Sequence, residues 1–110
     1  MQFQQLDTQY ADDDLTLFAT MTHLGLVTSQ FDFSRRLGRN STYFSVMRSR
    51  RQPVSVSALA ALASYLRGQA QSTTEVGRHF QLHRLAEAVS DQIFKRCQLP
   101  RPALRSVTPA

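Results

Sequence analysis

Apolar residues recur at intervals of three and four along most of this chain. Such spacing places apolar side chains on one face of an α-helix, where they can pack against a core. The pattern predicts an all-α protein in which a first helix, two short helices and further helices follow one another. The first three apolar sets are Leu17/Phe18/Met21/Leu24, Phe33/Leu37 and Phe44/Met47.

The two short helices are separated by a glycine. Thr28 or Ser29 can cap the first of them, and Asn40 or Ser41 can cap the second, because their side-chain oxygens accept from free amides of a first helical turn. Gly38 ends the first helix, since glycine adopts positive φ at little cost. A turn of about three residues forces the helices to cross steeply, which is typical of a helix-turn-helix that places its second helix in a DNA major groove.

The N-terminal part is predicted as an arm over residues 1–11 followed by a helix. Asp12, Asp13 and Asp14 suit the start of that helix, because carboxylates interact favourably with its free amide end. The alternative, a metal site, is disfavoured because consecutive helical residues point in different directions. Gly25 ends the helix.

A fourth helix follows Pro53. Ser55 or Ser57 can cap it, and its apolar positions are Leu59, Leu62, Ala63 and Leu66. Gly68 is expected to close it. The interpretation is a four-helix domain over residues 12–68 and a polar linker over 69–74.

A longer C-terminal helix is predicted over residues 75–98, followed by a flexible Pro/Arg tail over 99–110. The helix has a broad apolar stripe, which leaves two alternatives open. It folds back on its own domain as additional core. Alternatively, it forms a two-fold dimer interface, since one DNA-binding domain of this size contacts only about half of an operator. The residues assigned to the dimer interface are Phe80, Leu82, Leu85, Val89, Ile93 and Phe94.

Positive charge is concentrated in the middle and C-terminal parts. The net charge is +5, from 13 basic and 8 acidic residues. No lysine or arginine precedes Arg35, and no acidic residue lies between Arg35 and Glu75. A run of charge is commonly only a solvated face, but arginine forks also match phosphate oxygens. We therefore expect contacts with DNA phosphate groups from Arg35, Arg36, Arg39, Arg48, Arg50 and Arg51.

Short polar, aromatic and apolar side chains occupy the outward face predicted for the second short helix. They can reach base edges and thymine methyl groups. The predicted base-contacting residues are Ser41, Thr42, Tyr43, Ser45 and Val46.

Over about residues 14 to 67, the chain resembles the lambda repressor-like (Cro-type) helix-turn-helix DNA-binding domains. The resemblance is carried by Phe33, Ser34, Leu37, Gly38, Asn40, Phe44, Met47 and the run Arg50-Arg51-Gln52-Pro53. It implies that Ser41, Thr42 and Val46 face bases. It also implies that Gln30, Asn40 and the loop after Met47 touch phosphate. The chain departs from the family in having Ser34 where alanine is usual, and Arg48-Ser49-Arg50 where the family has a Glu-Asn-Gly-like ending.

Sites of other chemistry are not indicated. The lone Cys97 excludes an internal disulfide and suits a reducing cytoplasm. His79 and His83 are four residues apart, but Cys97 lies too far along the same helix to complete a metal site with them. No phosphate-binding loop or nucleophile elbow is present. We expect no catalytic residue, no metal, no cofactor and no small-molecule substrate.

The sequence thus predicts a cytoplasmic, non-membrane, sequence-specific binder of double-stranded DNA. The predicted role is a small transcriptional repressor acting as a homodimer on a palindromic operator. Two alternatives stay open: a protein-interaction module that uses the long C-terminal helix, and an antitoxin or partition accessory DNA-binding factor of a mobile element.

Overall fold

The part of the chain that the structure describes is all-helical. The computed structural model describes residues 2–97, with side chains from Gln9 onwards, and no strand occurs in that part of the chain. The helices are α1 (Gln2–His23), α2 (Gln30–Arg36), α3 (Tyr43–Ser49), α4 (Val56–Ser72) and α5 (Val76–Arg96). The chain divides into two compact units, Met1–Leu62 and Ala63–Ala110, and α4 contributes to both. The tail predicted over 99–110 lies outside the described residues.

Helix α1 begins much earlier than its sequence pattern indicates. The segment predicted as an arm, residues 1–11, is helical from residue 2 onwards, because α1 begins at Gln2. Residues 2–11 contain neither glycine nor proline, so nothing local interrupts the helix. The expected role of the three aspartates at a helix start is therefore wrong. Asp14 is buried, and its Oδ2 accepts from the Val54 N–H at 2.8 Å.

Three phenylalanines form the centre of the first unit. The ring centroids of Phe33 and Phe44 are 4.7 Å apart in an edge-to-face arrangement, and Phe18 lies 5.3 Å from each of them. Met21 and Leu37 are fully buried as well. Aromatic pairs at such distances contribute beyond the area they bury. This cluster joins α1, α2 and α3, as the apolar spacing predicts.

The turn between α2 and α3 has the predicted glycine but is longer than predicted. Ser29 caps α2, with its side chain accepting from the Asp32 N–H at 3.1 Å. Gly38 follows the end of α2 at φ +73°. Helix α3 begins only at Tyr43, so residues 37–42 separate the two helices. A Cβ added at Gly38 would lie 3.3 Å from the Ala61 Cβ of α4, so glycine also permits a close approach.

Helix α4 begins as predicted but ends later. Ser55 Oγ accepts from the Ala58 N–H at 3.1 Å, which confirms the serine cap. Gly68 does not end the helix, since α4 runs on to Ser72 with Ala70 buried. A mid-helix glycine costs only about 0.5–1 kcal/mol relative to alanine, which burial of neighbouring apolar surface can offset. The linker predicted over 69–74 is consequently reduced to 73–75.

In the second unit, α5 is held against the end of α4. Arg67 donates to Ser90 Oγ at 2.6 Å, and His79 Nδ1 donates to the Ala70 carbonyl at 2.8 Å. Of the residues assigned to a dimer interface, Leu82, Leu85 and Val89 are buried within the single chain, so they belong to its core. Ile93 and Phe94 are half-buried. Phe80 is 61% exposed, which leaves it accessible to a partner.

Candidate nucleic-acid interface

The predicted base-contacting residues are divided between a turn and a helix. Ser41 and Thr42 precede α3 instead of lying on it, and Thr42 is exposed whereas Ser41 is half-buried. Asn40 Oδ1 accepts from the Thr42 N–H at 3.1 Å and from the Thr42 hydroxyl at 3.0 Å, which fixes the turn locally. On α3 itself, Val46 is 39% exposed. Thr42 and Val46 are thus the accessible members of the predicted base-contacting set.

Tyr43 and Ser45 are engaged within the chain. The Tyr43 hydroxyl accepts from the Ser55 N–H at 2.9 Å, and Ser45 Oγ donates to the Thr42 carbonyl at 3.0 Å. Both residues are half-buried. A side chain that is already hydrogen-bonded has to give up that bond before it can contact a base. These contacts give Tyr43 and Ser45 a role in positioning α3.

Ser34 joins α2 to the start of α3, a role that the sequence does not reveal. It is fully buried; its hydroxyl donates to the Gln30 carbonyl at 2.9 Å and accepts from the Phe44 N–H at 2.9 Å. The first amides of a helix lack partners within it, so this serine satisfies one that α3 would otherwise leave free. Ser34 therefore does more than occupy a position that requires a small side chain.

Most of the predicted phosphate-contacting arginines are exposed. Arg35, Arg48, Arg50 and Arg51 are all accessible. Arg36 is half-buried, and its Nε lies 3.7 Å from Asp32 Oδ1 one turn away. A partly exposed ion pair of this kind contributes little to stability and still limits the availability of the guanidinium. Of the two other predicted phosphate-contacting residues, Gln30 is half-buried and Asn40 is exposed.

Arg39 is exposed but is also held by the start of α4. Its guanidinium donates to Ser57 Oγ at 2.6 Å and to Ser55 Oγ at 3.2 Å. The guanidinium carbon also lies 5.7 Å from the centroid of the Tyr43 ring, within the range of a cation–π contact. Arg39 thus connects the turn before α3 to α4.

The C-terminal ends of α1, α2 and α3 share one backbone motif. In each, the residue two positions beyond the helix has a positive φ: Gly25 (+74°), Gly38 (+73°) and Arg51 (+54°). In α3, the Arg51 N–H donates to the Arg48 carbonyl at 3.0 Å and the Gln52 N–H donates to the Met47 carbonyl at 2.9 Å. This is the Schellman pattern, in which glycine is the usual residue. A side chain at such a φ costs roughly 1–2 kcal/mol, and the first two motifs avoid that cost.

Arg51 lies beside a cavity between α1 and the end of α3. The cavity has a volume of about 440 Å³ and is contained in the first unit. Its lining combines apolar, acidic and basic side chains. The lining residues are Ala11, Asp12, Asp14, Leu15, Phe44, Arg48, Arg51 and Gln52. The sequence pattern does not predict this cavity, because its walls come from two segments, residues 11–15 and residues 44–52, that are far apart in the sequence.

Within residues 2–97, no helix has the length and apolar character needed to cross a membrane. No curated protein and no solved structure matches the sequence. Residues 16–100, most of the chain, match the model of DUF6626, described as a family of unknown function. The chain therefore belongs to the DUF6626 family.

Proposed function

We propose that the first unit binds double-stranded DNA sequence-specifically, with α3 and the turn before it in the major groove. The observation that carries the proposal is the exposed surface formed by Thr42 and Val46 together with exposed arginines before and after α3 in the sequence. No acidic residue interrupts the chain between Arg35 and Glu75, so no carboxylate from that segment opposes the approach of phosphate. Such a distribution raises the rate of encounter with a polyanion.

The two exposed side chains divide the reading of bases between them. Thr42 offers a hydroxyl that can donate to or accept from a base edge, and Val46 offers an apolar surface suited to a thymine methyl group. Arg35, Arg48, Arg50 and Arg51 supply phosphate contacts, which position the protein without reading sequence. Arg39 and Tyr43 support α3 from the side of α4.

The functional unit in this proposal is a homodimer on a palindromic operator. Val76 and Phe80 are 69% and 61% exposed and lie one helical turn apart on α5, so they form an apolar contact surface for a second copy. A two-fold dimer places two recognition helices on half-sites one turn of DNA apart. Occupancy of such a site excludes polymerase, which gives a simple repressor.

Selection of bound fragments from a random DNA pool tests this function. We expect a consensus made of two inverted half-sites, which reports specificity and symmetry together. Replacing Thr42 with alanine should change the preferred base at one position of each half-site. An equal loss of affinity for every sequence would contradict a base-reading role for Thr42.

A second candidate is a protein-interaction module, which the exposed Val76 and Phe80 favour. A mobility-shift assay with random duplexes at low and then physiological salt separates the two functions. Retardation at low salt supports DNA binding, because nonspecific phosphate contact is strongest there. Absence of retardation even at low salt supports the interaction module. An antitoxin or partition factor of a mobile element shares the DNA chemistry and gives the first result.

A further inference from the structure

The cavity beside α3 is lined by apolar side chains and by charged side chains of both signs. Leu15, Ala11 and Phe44 provide the apolar surface, and Arg48 and Arg51 provide two guanidinium groups. Two carboxylates line it as well, of which Asp14 already accepts the Val54 N–H at 2.8 Å. Asp12 is exposed, and its carboxylate is accessible to a ligand.

The identity of residue 51 indicates that its side chain has a use. The same helix-ending motif occurs after α1 and α2 with glycine, and after α3 with arginine at φ +54°. Strained positions that persist despite an easier alternative are concentrated at binding sites. The side chain that this position carries lines the cavity, together with that of Arg48 three residues earlier.

These groups specify the chemistry of a ligand. A pair of guanidiniums favours a carboxylate, which it can bind through parallel hydrogen bonds. A nearby carboxylate disfavours a simple anion and favours a ligand that also carries an ammonium group. The apolar lining favours a ligand that also has a hydrocarbon side chain beside its carboxylate and ammonium groups. Cavities of this volume lie in the range that holds small organic ligands.

We propose that the cavity binds an α-amino acid with an apolar side chain. Its carboxylate lies against Arg48 and Arg51, its ammonium group lies against Asp12, and its side chain contacts Leu15 and Phe44. The ligand bridges α1 and the C-terminal end of α3. This places a small-metabolite site beside the helix that is proposed to read DNA.

Binding of this ligand weakens DNA binding, a consequence that rests on the proposed function. Arg48 and Arg51 are also assigned to phosphate contacts, and a guanidinium that holds the ligand carboxylate is withdrawn from the DNA backbone. The coupling is reciprocal, so DNA lowers the affinity for the amino acid by the same factor.

The direct test is an NMR titration of the full ¹⁵N-labelled chain without DNA. The probes are L-phenylalanine and L-leucine, with 3-phenylpropanoate and phenethylamine as matched compounds that lack the ammonium and the carboxylate. We expect saturable shifts of the amides of Ala11, Asp12, Arg51 and Gln52 with the amino acids, and binding weaker by about tenfold with each matched compound. Absence of saturable shifts at millimolar concentrations of both amino acids overturns the proposal.

Variants identify the contacts without relying on a damaged fold. Arg51→Gly removes the guanidinium and relieves the strained φ, so we expect a more stable protein that binds the amino acid about tenfold more weakly. Asp12→Asn should weaken L-phenylalanine binding and strengthen 3-phenylpropanoate binding, because it removes a carboxylate that attracts the ammonium group and repels a simple anion. Arg84→Ala, a loss of the same charge outside the cavity, should leave binding unchanged. Unaltered binding by Arg51→Gly overturns the assignment.

The titration together with the mobility-shift assay separates this inference from the function on which its regulatory part rests. If the chain binds the amino acid but does not bind DNA, the cavity site is supported and the proposed function is overturned. DNA binding by a chain that ignores both amino acids supports the function and removes the cavity site. If both bind, a DNA affinity that is unchanged by saturating L-phenylalanine overturns the competition.

Discussion

Replacing Gly38 with alanine should destabilise the first unit by about 2 kcal/mol. One part of this cost is the backbone: a side chain at φ +73° costs roughly 1–2 kcal/mol, reduced by about 0.4–1 kcal/mol because alanine restricts the unfolded chain. The other part is contact, since the added Cβ would lie 3.3 Å from the Ala61 Cβ. We assign about 1 kcal/mol to this crowding, at the lower end for overpacked sites.

Gly25 is a matched control for the backbone part. It has nearly the same φ, +74°, and a Cβ added there meets nothing within 4 Å. Gly25→Ala should therefore cost about 1 kcal/mol, from the backbone alone. Urea unfolding followed by circular dichroism measures both variants. We expect a midpoint lower than that of the natural chain for Gly25→Ala and lower again for Gly38→Ala, with similar slopes.

The double variant Gly38→Ala/Ala61→Gly isolates the contact. Ala61→Gly alone should cost about 1 kcal/mol, because it places glycine in a helix. Together the two substitutions should cost about 1 kcal/mol less than the sum of the single costs, since the crowding is gone. Equal costs for Gly25→Ala and Gly38→Ala, with no coupling to Ala61, would refute the close approach of α4 to the α2–α3 turn.

Three further substitutions test other contacts by the same unfolding measurement. Gly68→Ala should stabilise the chain by about 0.5–1 kcal/mol, because Gly68 lies inside α4 with open space around it; a loss of stability would mean that α4 ends there. Ser34→Ala should cost about 1–3 kcal/mol because it leaves the Phe44 N–H without its partner, and a cost near zero would show that this hydrogen bond contributes nothing. Asp14→Ala should cost about 1–3 kcal/mol for the same reason at the Val54 N–H, whereas the exposed Asp12→Ala should stay within about 0.5 kcal/mol; equal effects would contradict the structural role of Asp14.

Local signals in the sequence predict most of the helix boundaries around the turn between α2 and α3. Ser29 and Ser55 cap helices as expected, and Gly25 and Gly38 follow helix ends at positive φ. These features depend on a few neighbouring residues, so a reader of the sequence has all the relevant information. The prediction that Gly68 ends α4 is wrong, because an isolated glycine does not distinguish a helix end from a tolerated interior position.

The sequence pattern does not predict contacts between segments that are far apart along the chain. Asp14 was expected to cap a helix, but its carboxylate accepts from Val54, 40 positions later. Ser34 has a small side chain, as the turn requires, yet nothing in the pattern indicates its bond to the Phe44 amide. Arg51 was placed in the basic cluster, but only the backbone shows that it occupies a position where the earlier helices have glycine. Each of these roles is defined by tertiary geometry.

The salt dependence of binding to a random-sequence duplex tests the central claim most directly, with affinity measured by fluorescence anisotropy. Four arginine–phosphate contacts in each protomer predict that log K falls against log salt with a slope of about −3.6 per bound protomer, at about 0.9 for each contact. Arg50→Ala should make the slope shallower by about 0.9 per protomer, and Arg84→Ala should leave it unchanged. No binding at low salt, or the same slope for Arg50→Ala as for the natural chain, would contradict phosphate contact by the arginines beside α3.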